Sequence, residues 1–280
     1  MTWKDYTSIA APEHTAVGNI QIWQKLHSPQ LNNQRDILVY LPPSYSNSGE
    51  RRYPVLYMHD GQNIFDDLTS FVGEWSVDET MEELSKEGIE AIVVGVPNMG
   101  SDRLNEYSPF RDPRHGGGKG DAYLTFLLST VKPLIDRSFR TRADRMHTGL
   151  MGSSMGGLIS LYGFFRHADE FGLCGAMSPS IWFARGTVYH YIERQPPILG
   201  KIYMDMGTAE GQRVSDPPVL RTMLQLSGTR AGQLYNLLNE KGYRAGRDIL
   251  FVEEENGLHT EAAWARRLPG ALRFLLGDLM

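Results

Sequence analysis

Short apolar, β-branched runs recur along the chain and alternate with longer segments of helical periodicity. The first two runs alternate apolar and polar positions, which predicts a half-exposed antiparallel pair of strands. The later runs are almost continuously apolar, which is typical of strands buried on both faces of a sheet. The pattern therefore predicts strands at 18–26, 36–41, 53–58, 91–96, 146–151, 173–177, 201–206 and 249–253.

Helical periodicity fills the intervals between most of these strands. Alternating strands and helices favour an α/β protein with a mostly parallel sheet of about eight strands and helices on both faces. No internal repeat or Pro/Ser-rich linker interrupts the pattern, so residues 1–280 are interpreted as a single domain. Two long irregular segments, 97–120 and 178–200, are expected to be functional loops. The predicted helices are 77–87, 121–138, 155–166, 218–241 and 261–276.

Composition excludes several classes of protein. Hydrophobic residues make up 41% of the 280 positions and charged residues 22%, which excludes a disordered or fibrous chain. The net charge of −5 leaves no basic excess for a nucleic-acid partner. No apolar run reaches the roughly 18–20 residues of a membrane span, and the N-terminus lacks the pattern of a secretory signal, so a cytoplasmic location is expected. The single cysteine, Cys174, excludes an intrachain disulfide and a multi-thiolate zinc site.

The strongest chemical signal is the segment GSSMGG at 152–157, which lies between a predicted strand and a predicted helix. G-x-S-x-G in that context is typical of a sharp turn that lifts a serine hydroxyl clear of the backbone as a nucleophile. The following helix would direct its free N–H groups toward developing negative charge. Ser153 competes, but the glycine spacing selects Ser154.

A serine nucleophile needs a general base, most often a histidine. In the chain order of serine, acid and histidine, the base lies late in the sequence. The histidines after Ser154 are His167, His190 and His259. His259 is favoured because it follows the last predicted strand and a glycine, at the edge of the sheet where α/β sites assemble.

The acid that orients the histidine should lie between the nucleophile and the base. Glu210 is favoured because it lies on the turn after a predicted strand. Asp205, within that strand, and Asp216 remain alternatives.

Acyl transfer also requires backbone donors for an oxyanion. Met155, directly after the nucleophile, is one candidate, and Gln62, in the loop YMHDGQNIF after the third strand, is the other. His59, Asp60, Asp66 and Asp67 in that loop match no metal-ligand spacing, so no metal is expected there.

Four segments together carry a resemblance that covers about residues 18–276: YMHDGQN, GSSMGG, GTAEG and LHTEAAWARRLPGALRFL. They resemble the Putative esterase family of α/β hydrolases, whose members include enterochelin esterases, feruloyl esterases and antigen 85 mycolyltransferases. The resemblance implies an α/β-hydrolase fold and a Ser-acid-His triad without a cofactor, at Ser154, Glu210 and His259. It also implies oxyanion donors at Gln62 and Met155.

The expected function is hydrolysis of small to medium acyl esters through an acyl-enzyme. The expected partner is a small-molecule ester, with no nucleic acid and no membrane, and a homo-oligomer is left open. An acyltransferase, a siderophore- or feruloyl-type esterase and an inactive binding module remain alternatives. Basic residues between 103 and 119 are balanced by acidic ones, which disfavours a strongly anionic siderophore. Substrate contacts are expected from Trp75, Arg103, Tyr107 and Trp182, in an aromatic-lined pocket, and packing of the aromatic rings in the core is the alternative.

Overall fold

A computed structural model describes residues 2–212 and 217–279. Their strands form one sheet of nine, in the order β1-β2-β3-β5-β4-β6-β7-β8-β9. The strands are β1 (Lys4–Asp5), β2 (Asn19–Ser28), β3 (Asn33–Leu41), β4 (Val55–His59), β5 (Ile92–Val96), β6 (Thr148–Ser153), β7 (Leu173–Met177), β8 (Lys201–Gly207) and β9 (Ile249–Glu254).

Helices occupy most of the connections. They are α1 (Val77–Ser85), α2 (Arg103–Glu106), α3 (Gly120–Phe126), α4 (Lys132–Ser138), α5 (Met155–Arg166), α6 (Thr187–Glu193), α7 (Pro218–Glu240) and α8 (Glu261–Leu276). None of these helices is both long enough and apolar enough to cross a membrane.

The sheet has an antiparallel side and a parallel side. β1, β2, β3 and β5 pair antiparallel in that order, which confirms the predicted antiparallel pair. From β5 through β4 and β6 to β9, every pairing is parallel. The carboxyl ends of β4 and β6–β9 therefore meet along one edge, where an α/β sheet assembles its site.

Both faces of the sheet carry apolar side chains, and each face has its own core. Along β5, Val94 packs into one core and Val93 into the other, as the period of two requires. The first core contains side chains of α3–α7, and the second contains side chains of α1 and α8. This arrangement confirms the predicted α/β class, with helices on both faces.

Most predicted element boundaries agree with the structure to within a few residues, and α5 and α8 agree at both ends. The two-residue strand β1 was missed because it is too short to show a period. The predicted helix 121–138 is continuous but passes through a π-helical turn at Leu127–Val131. The two segments predicted as irregular loops contain the short helices α2 and α6.

Candidate active site

The turn between β6 and α5 has the geometry that the G-x-S-x-G pattern predicts. Ser154 has φ 55° and ψ −117°, a conformation that side-chain-bearing residues rarely adopt. Its backbone N–H donates to the Met177 carbonyl at 2.9 Å, which ties the strained residue to β7. A Cβ atom on Gly152 would lie 3.0 Å from the Gly156 backbone and from the His59 ring, so a larger residue would have to displace these neighbours.

Three side chains that are far apart in sequence form a hydrogen-bonded chain at this turn. His259 Nε2 lies 3.0 Å from Ser154 Oγ, and His259 Nδ1 lies 2.8 Å from Glu210 Oε2. An ionised carboxylate can only accept hydrogen bonds. His259 Nδ1 therefore carries a proton and donates a hydrogen bond to Glu210. Nε2 is then free to accept the Ser154 proton. A serine, a histidine and a carboxylate joined in this order are the groups that acyl transfer through a serine requires.

The carboxylate of Glu210 is buried but well supplied with donors. Its Oε1 accepts hydrogen bonds from the Gly207 N–H at 2.9 Å and from the Ser178 hydroxyl. Burial raises the pKa of Glu210, but the hydrogen bond and charge of His259, with the other two donors, outweigh burial and hold the pKa below its ordinary value. These donors therefore favour the ionised form of Glu210, which accepts the hydrogen bond from His259.

The alternatives for acid and base are placed elsewhere. Asp205 lies within β8, where it accepts from Tyr203 Oη at 3.1 Å and pairs with Arg267 Nε at 3.0 Å. Burial raises the pKa of Asp205 to about 6 despite that arginine. Asp216 lies outside the described residues. His190 lies on α6 beside Glu193, and His167 follows α5, so neither reaches Ser154.

Backbone contacts hold the acid loop and the base loop together. The Ala209 N–H donates to the Gly257 carbonyl at 3.0 Å, and the Thr208 N–H donates to the Glu254 carbonyl at 2.9 Å. The Thr208 hydroxyl accepts from the Asn256 N–H at 2.9 Å. The distance between Glu210 and His259 is thus set by the main chain rather than by flexible side chains.

Ser178, directly after β7, connects the acid to helix α8. Its hydroxyl donates to Glu210 and accepts from Trp264 Nε1 and Arg267 Nη2, both at 2.9 Å. The Trp264 ring packs edge-on against His259, with ring centroids 5.0 Å apart. Sequence reasoning missed these residues, although Ser178 follows a buried strand at the same sheet edge as Ser154, and that position was a usable signal.

The two residues predicted to supply oxyanion donors lie at the start of α5 and in the turn after β4. Met155 is the first residue of α5, so its N–H has no intrahelical acceptor. Gln62 lies in the turn after β4 and lines the cleft in front of Ser154. A Cβ atom on Gly61 would lie 2.5 Å from the Val96 nitrogen, so glycine lets this turn pack against β5.

A cleft of about 780 Å³ opens in front of Ser154 and His259. One side is the triad wall, defined here as the loops after β6–β9 that carry Ser154, Ser178, Glu210 and His259. The other side is the rim loop, residues 66–73, which contributes Phe71 and Val72 with 87% and 64% of their surfaces exposed.

Charged groups inside the cleft are largely compensated. Arg103 donates to both oxygens of Asp60 at 2.7 Å, and Asn98 Nδ2 donates to the same carboxylate at 2.6 Å. Burial raises the pKa of Asp60, but Arg103 and Asn98 outweigh burial and hold it below its ordinary value. Glu261 also lines the cleft, and burial raises the pKa of its carboxyl group.

Of the four residues predicted to contact substrate, only Arg103 lines the cleft. Trp75 is buried against Trp264, with ring centroids 5.7 Å apart, and therefore supports the site from behind. Tyr107 is fully buried, and its Oη accepts from the Asp60 N–H. Trp182 packs against His115, away from the cleft. Aromatic composition predicted a pocket lining, but these rings serve as packing.

The histidine and the acidic residues after β4 have structural partners. His59 Nδ1 lies 2.8 Å from Tyr123 Oη, and Asp66 accepts from Tyr6 Oη at 2.6 Å. His59 is buried next to Gly152 and Gly156, in the turn between β6 and α5. Burial lowers its pKa to about 3, so its ring is neutral. These hydrogen bonds tie His59 to α3 and Asp66 to the N-terminal segment.

Comparison with known proteins places the chain in a family. The model of the family described as "Putative esterase" matches residues 28–275. The Bacillus subtilis protein YbbA, described as uncharacterized, is 26% identical over 249 residues, which are 87% of this chain and 93% of YbbA.

Two further relatives carry functional names. A siderophore enterobactin esterase of Emericella nidulans is 28% identical over 194 residues, which are 62% of this chain and 61% of that protein. The solved siderophore hydrolase EstA of Aspergillus nidulans superposes with a TM-score of 0.72 at 20% identity, covering 97% of this chain and 98% of EstA. The structural likeness supports the α/β-hydrolase fold. With a family model that spans most of its length, the chain belongs to the Putative esterase family and is a hydrolase that acts on esters.

Proposed function

We propose that this esterase works through an acyl-enzyme, with Ser154 as nucleophile, His259 as general base and Glu210 as the acid that orients it. The observation that carries the proposal is the unbroken hydrogen-bonded chain from Ser154 Oγ through both His259 nitrogens to Glu210. This chain begins at a serine in a strained turn at the head of a helix.

In the acylation step, His259 Nε2 takes the Ser154 proton as Oγ attacks the ester carbonyl carbon. Negative charge then develops on the carbonyl oxygen. The N–H groups of Met155 and Gln62 are the donors proposed to stabilise it, and losing one such donor typically costs about 3–4 kcal/mol. When the tetrahedral intermediate collapses, the protonated His259 gives its proton to the departing alcohol.

Deacylation repeats the sequence with water. His259 takes a proton from a water molecule as the water oxygen attacks the acyl carbon. The intermediate then releases the acid product, and Ser154 Oγ regains a proton from His259. Ionised Glu210 stabilises the imidazolium in both steps.

The cleft supports a small to medium ester without strong negative charge. Its volume of about 780 Å³ is in the range that holds one drug-sized molecule. The guanidinium of Arg103 is already paired with Asp60, and Glu261 adds a second carboxyl group. A polyanionic siderophore would therefore find little uncompensated positive charge among the described residues of the cleft.

The decisive experiment measures p-nitrophenol release from acetate, butyrate and octanoate esters. Ser154→Ala should lower kcat by about 10⁴-fold or more, because the nucleophile and base act as a unit. Ser153→Ala is the matched control, since it removes the neighbouring hydroxyl, and it should retain most of the activity. A fluorophosphonate should label wild type and Ser153→Ala but not Ser154→Ala.

Other results would contradict the proposal in recognisable ways. Substantial turnover by folded Ser154→Ala would remove Ser154 as nucleophile. A wild type that neither turns over these esters nor reacts with the fluorophosphonate would favour a binding module. If an added alcohol diverted most of the product from acid to a new ester, the enzyme would be an acyltransferase with the same triad.

A further inference from the structure

A second hydroxyl group contacts the nucleophile. Ser180 Oγ lies 3.0 Å from Ser154 Oγ, and the Ser180 side chain is buried, with 2% of the residue exposed. The Ser180 N–H also donates to the Ser154 carbonyl at 2.9 Å. This backbone bond places Ser180 beside the nucleophile independently of its own side chain.

The hydrogen-bond pattern assigns a direction to this contact. Ser154 has one hydroxyl proton, with which it can donate one hydrogen bond. His259 Nε2 accepts this hydrogen bond, because the only ring proton is on Nδ1, which donates to Glu210. Ser154 Oγ must therefore be the acceptor in its contact with Ser180. We propose that Ser180 is a further catalytic residue, whose hydroxyl donates to Ser154 Oγ throughout the reaction.

This role of Ser180 rests on the proposed function of Ser154 as the nucleophile. It concerns the stabilisation of negative charge on Ser154 Oγ. As His259 removes the Ser154 proton, Oγ gains negative charge until its bond to the carbonyl carbon is complete. A hydrogen bond to a charged oxygen is roughly twice as strong as one between neutral groups, so the Ser180 bond strengthens in the transition state. In deacylation, Ser154 Oγ is the leaving atom, and the same donor stabilises it.

No covalent bond to Ser180 is made or broken in these steps. The Ser180 proton stays on Ser180, and all proton transfer passes through His259. If the role of Ser180 were purely structural, removing its hydroxyl would leave the two rate constants unchanged, because the backbone hydrogen bond to Ser154 would remain.

The test is Ser180→Ala, followed by stopped-flow measurement of p-nitrophenyl ester acylation and of acyl-enzyme breakdown. Both rate constants should fall about tenfold, as expected when a hydrogen bond to a charging atom is lost. The substrate dissociation constant should change less than twofold, because the contact is to the enzyme's own oxygen. Ser180→Cys, with a weaker donor of similar size, should give intermediate rates.

The matched control is Ser160→Ala. Ser160 is also a fully buried serine, but its hydroxyl donates to the Gly156 carbonyl within α5. This variant should keep wild-type rates and should melt within a few degrees of wild type.

The outcomes separate this inference from the triad itself. If Ser154→Ala is inactive while Ser180→Ala keeps both rate constants within twofold of wild type, Ser180 is not catalytic and the triad stands. If Ser180→Ala loses substrate affinity and melting temperature but not the two rate constants, its role is structural. If Ser154→Ala remains active, both proposals fail. Should Ser180→Ala not fold, the Ser180→Cys rates decide by the same criteria.

Discussion

The two sides of the cleft are built in opposite ways. On the triad wall, hydrogen bonds link the side chains of Ser154, Ser178, Glu210 and His259, and the loops after β8 and β9 are joined by backbone hydrogen bonds. The rim loop instead presents Phe71 and Val72 to solvent, with 87% and 64% of their surfaces exposed. The triad wall is held by hydrogen bonds between its functional side chains. The rim loop is also anchored, because its buried Asp66 accepts from Tyr6, but the apolar side chains of Phe71 and Val72 are largely exposed.

This difference shows how reaction and selectivity can be separated in one cleft. Proton transfer needs atoms held near 3 Å, so the groups that carry it belong on a wall with little freedom. Recognition of an apolar acyl group needs surface more than direction, and exposed side chains supply it. Changes on the triad wall are therefore expected to alter the reaction, and changes at Phe71 on the rim loop are expected to alter only selectivity.

The largest of these effects is expected for Glu210→Gln on the triad wall. A neutral amide can no longer hold His259 in the correct tautomer or stabilise its cation, so kcat should fall by about 10²–10⁴-fold. The measurement is kcat for p-nitrophenyl butyrate at neutral pH. Glu261→Gln is the matched control, because it makes the same change in the same cleft without removing a bond to His259. Equal losses in the two variants would contradict the assignment of the acid.

A smaller effect is expected on stability, when His59, which lies next to the turn between β6 and α5, is exposed to low pH. Burial lowers its pKa to about 3, whereas an unfolded histidine titrates near 6.5. The unfolded chain therefore binds the proton more readily, and the stabilising contribution of neutral His59 is present above pH 6.5 and is lost as the pH falls toward 3. At pH 5 the loss should be about 2 kcal/mol in the free energy of unfolding.

Urea denaturation at pH 7 and pH 5 tests this expectation. His59→Gln should show a smaller loss of stability between the two pH values than wild type, whatever its stability at pH 7. His190→Gln, which changes an exposed histidine on α6, should behave like wild type. An unaltered pH dependence in His59→Gln would mean that His59 is not kept neutral by burial.

The smallest effect is expected on the rim loop. Phe71→Ala removes apolar surface that a long acyl chain could cover, worth about 1 kcal/mol at roughly 25 cal/mol per Å². We expect kcat/KM for the octanoate ester to fall about fivefold and that for the acetate ester to stay within twofold. Leu199→Ala, at an exposed leucine outside the cleft, is the control. An equal loss with both esters would show that the rim loop also supports the chemistry.

Much of the fold could be predicted from the sequence because its signals are local. The apolar runs of β4–β9 and the periodic patterns of α5 and α8 can each be recognised within a single continuous segment of the sequence. The helices α2 and α6 were missed because they are short and lie within turn-rich segments. Their formation depends on packing that a local pattern does not contain.

The candidate site divides in the same way. Ser154, Glu210 and His259 follow or lie close to the ends of predicted strands, and the structure brings them within hydrogen-bonding distance of one another. The aromatic residues were harder to place, since a tryptophan packs equally well in a core or in a pocket. Trp75 lies behind the site, whereas Phe71, which had no signal, lies at its mouth.

Local sequence was enough to predict the alternation of strands and helices, the sharp turn at Ser154 and the positions of Glu210 and His259 after predicted strands. These features depend on residue types at short spacing, where glycine, β-branched and apolar residues act on their own segment. The folded structure was needed to show which hydroxyl groups contact Ser154 and Glu210, that Arg103 is paired with Asp60, and which side chains line the cleft. Those contacts join residues from 26 to 43 positions apart, and they depend on the order in which the strands pair in the sheet.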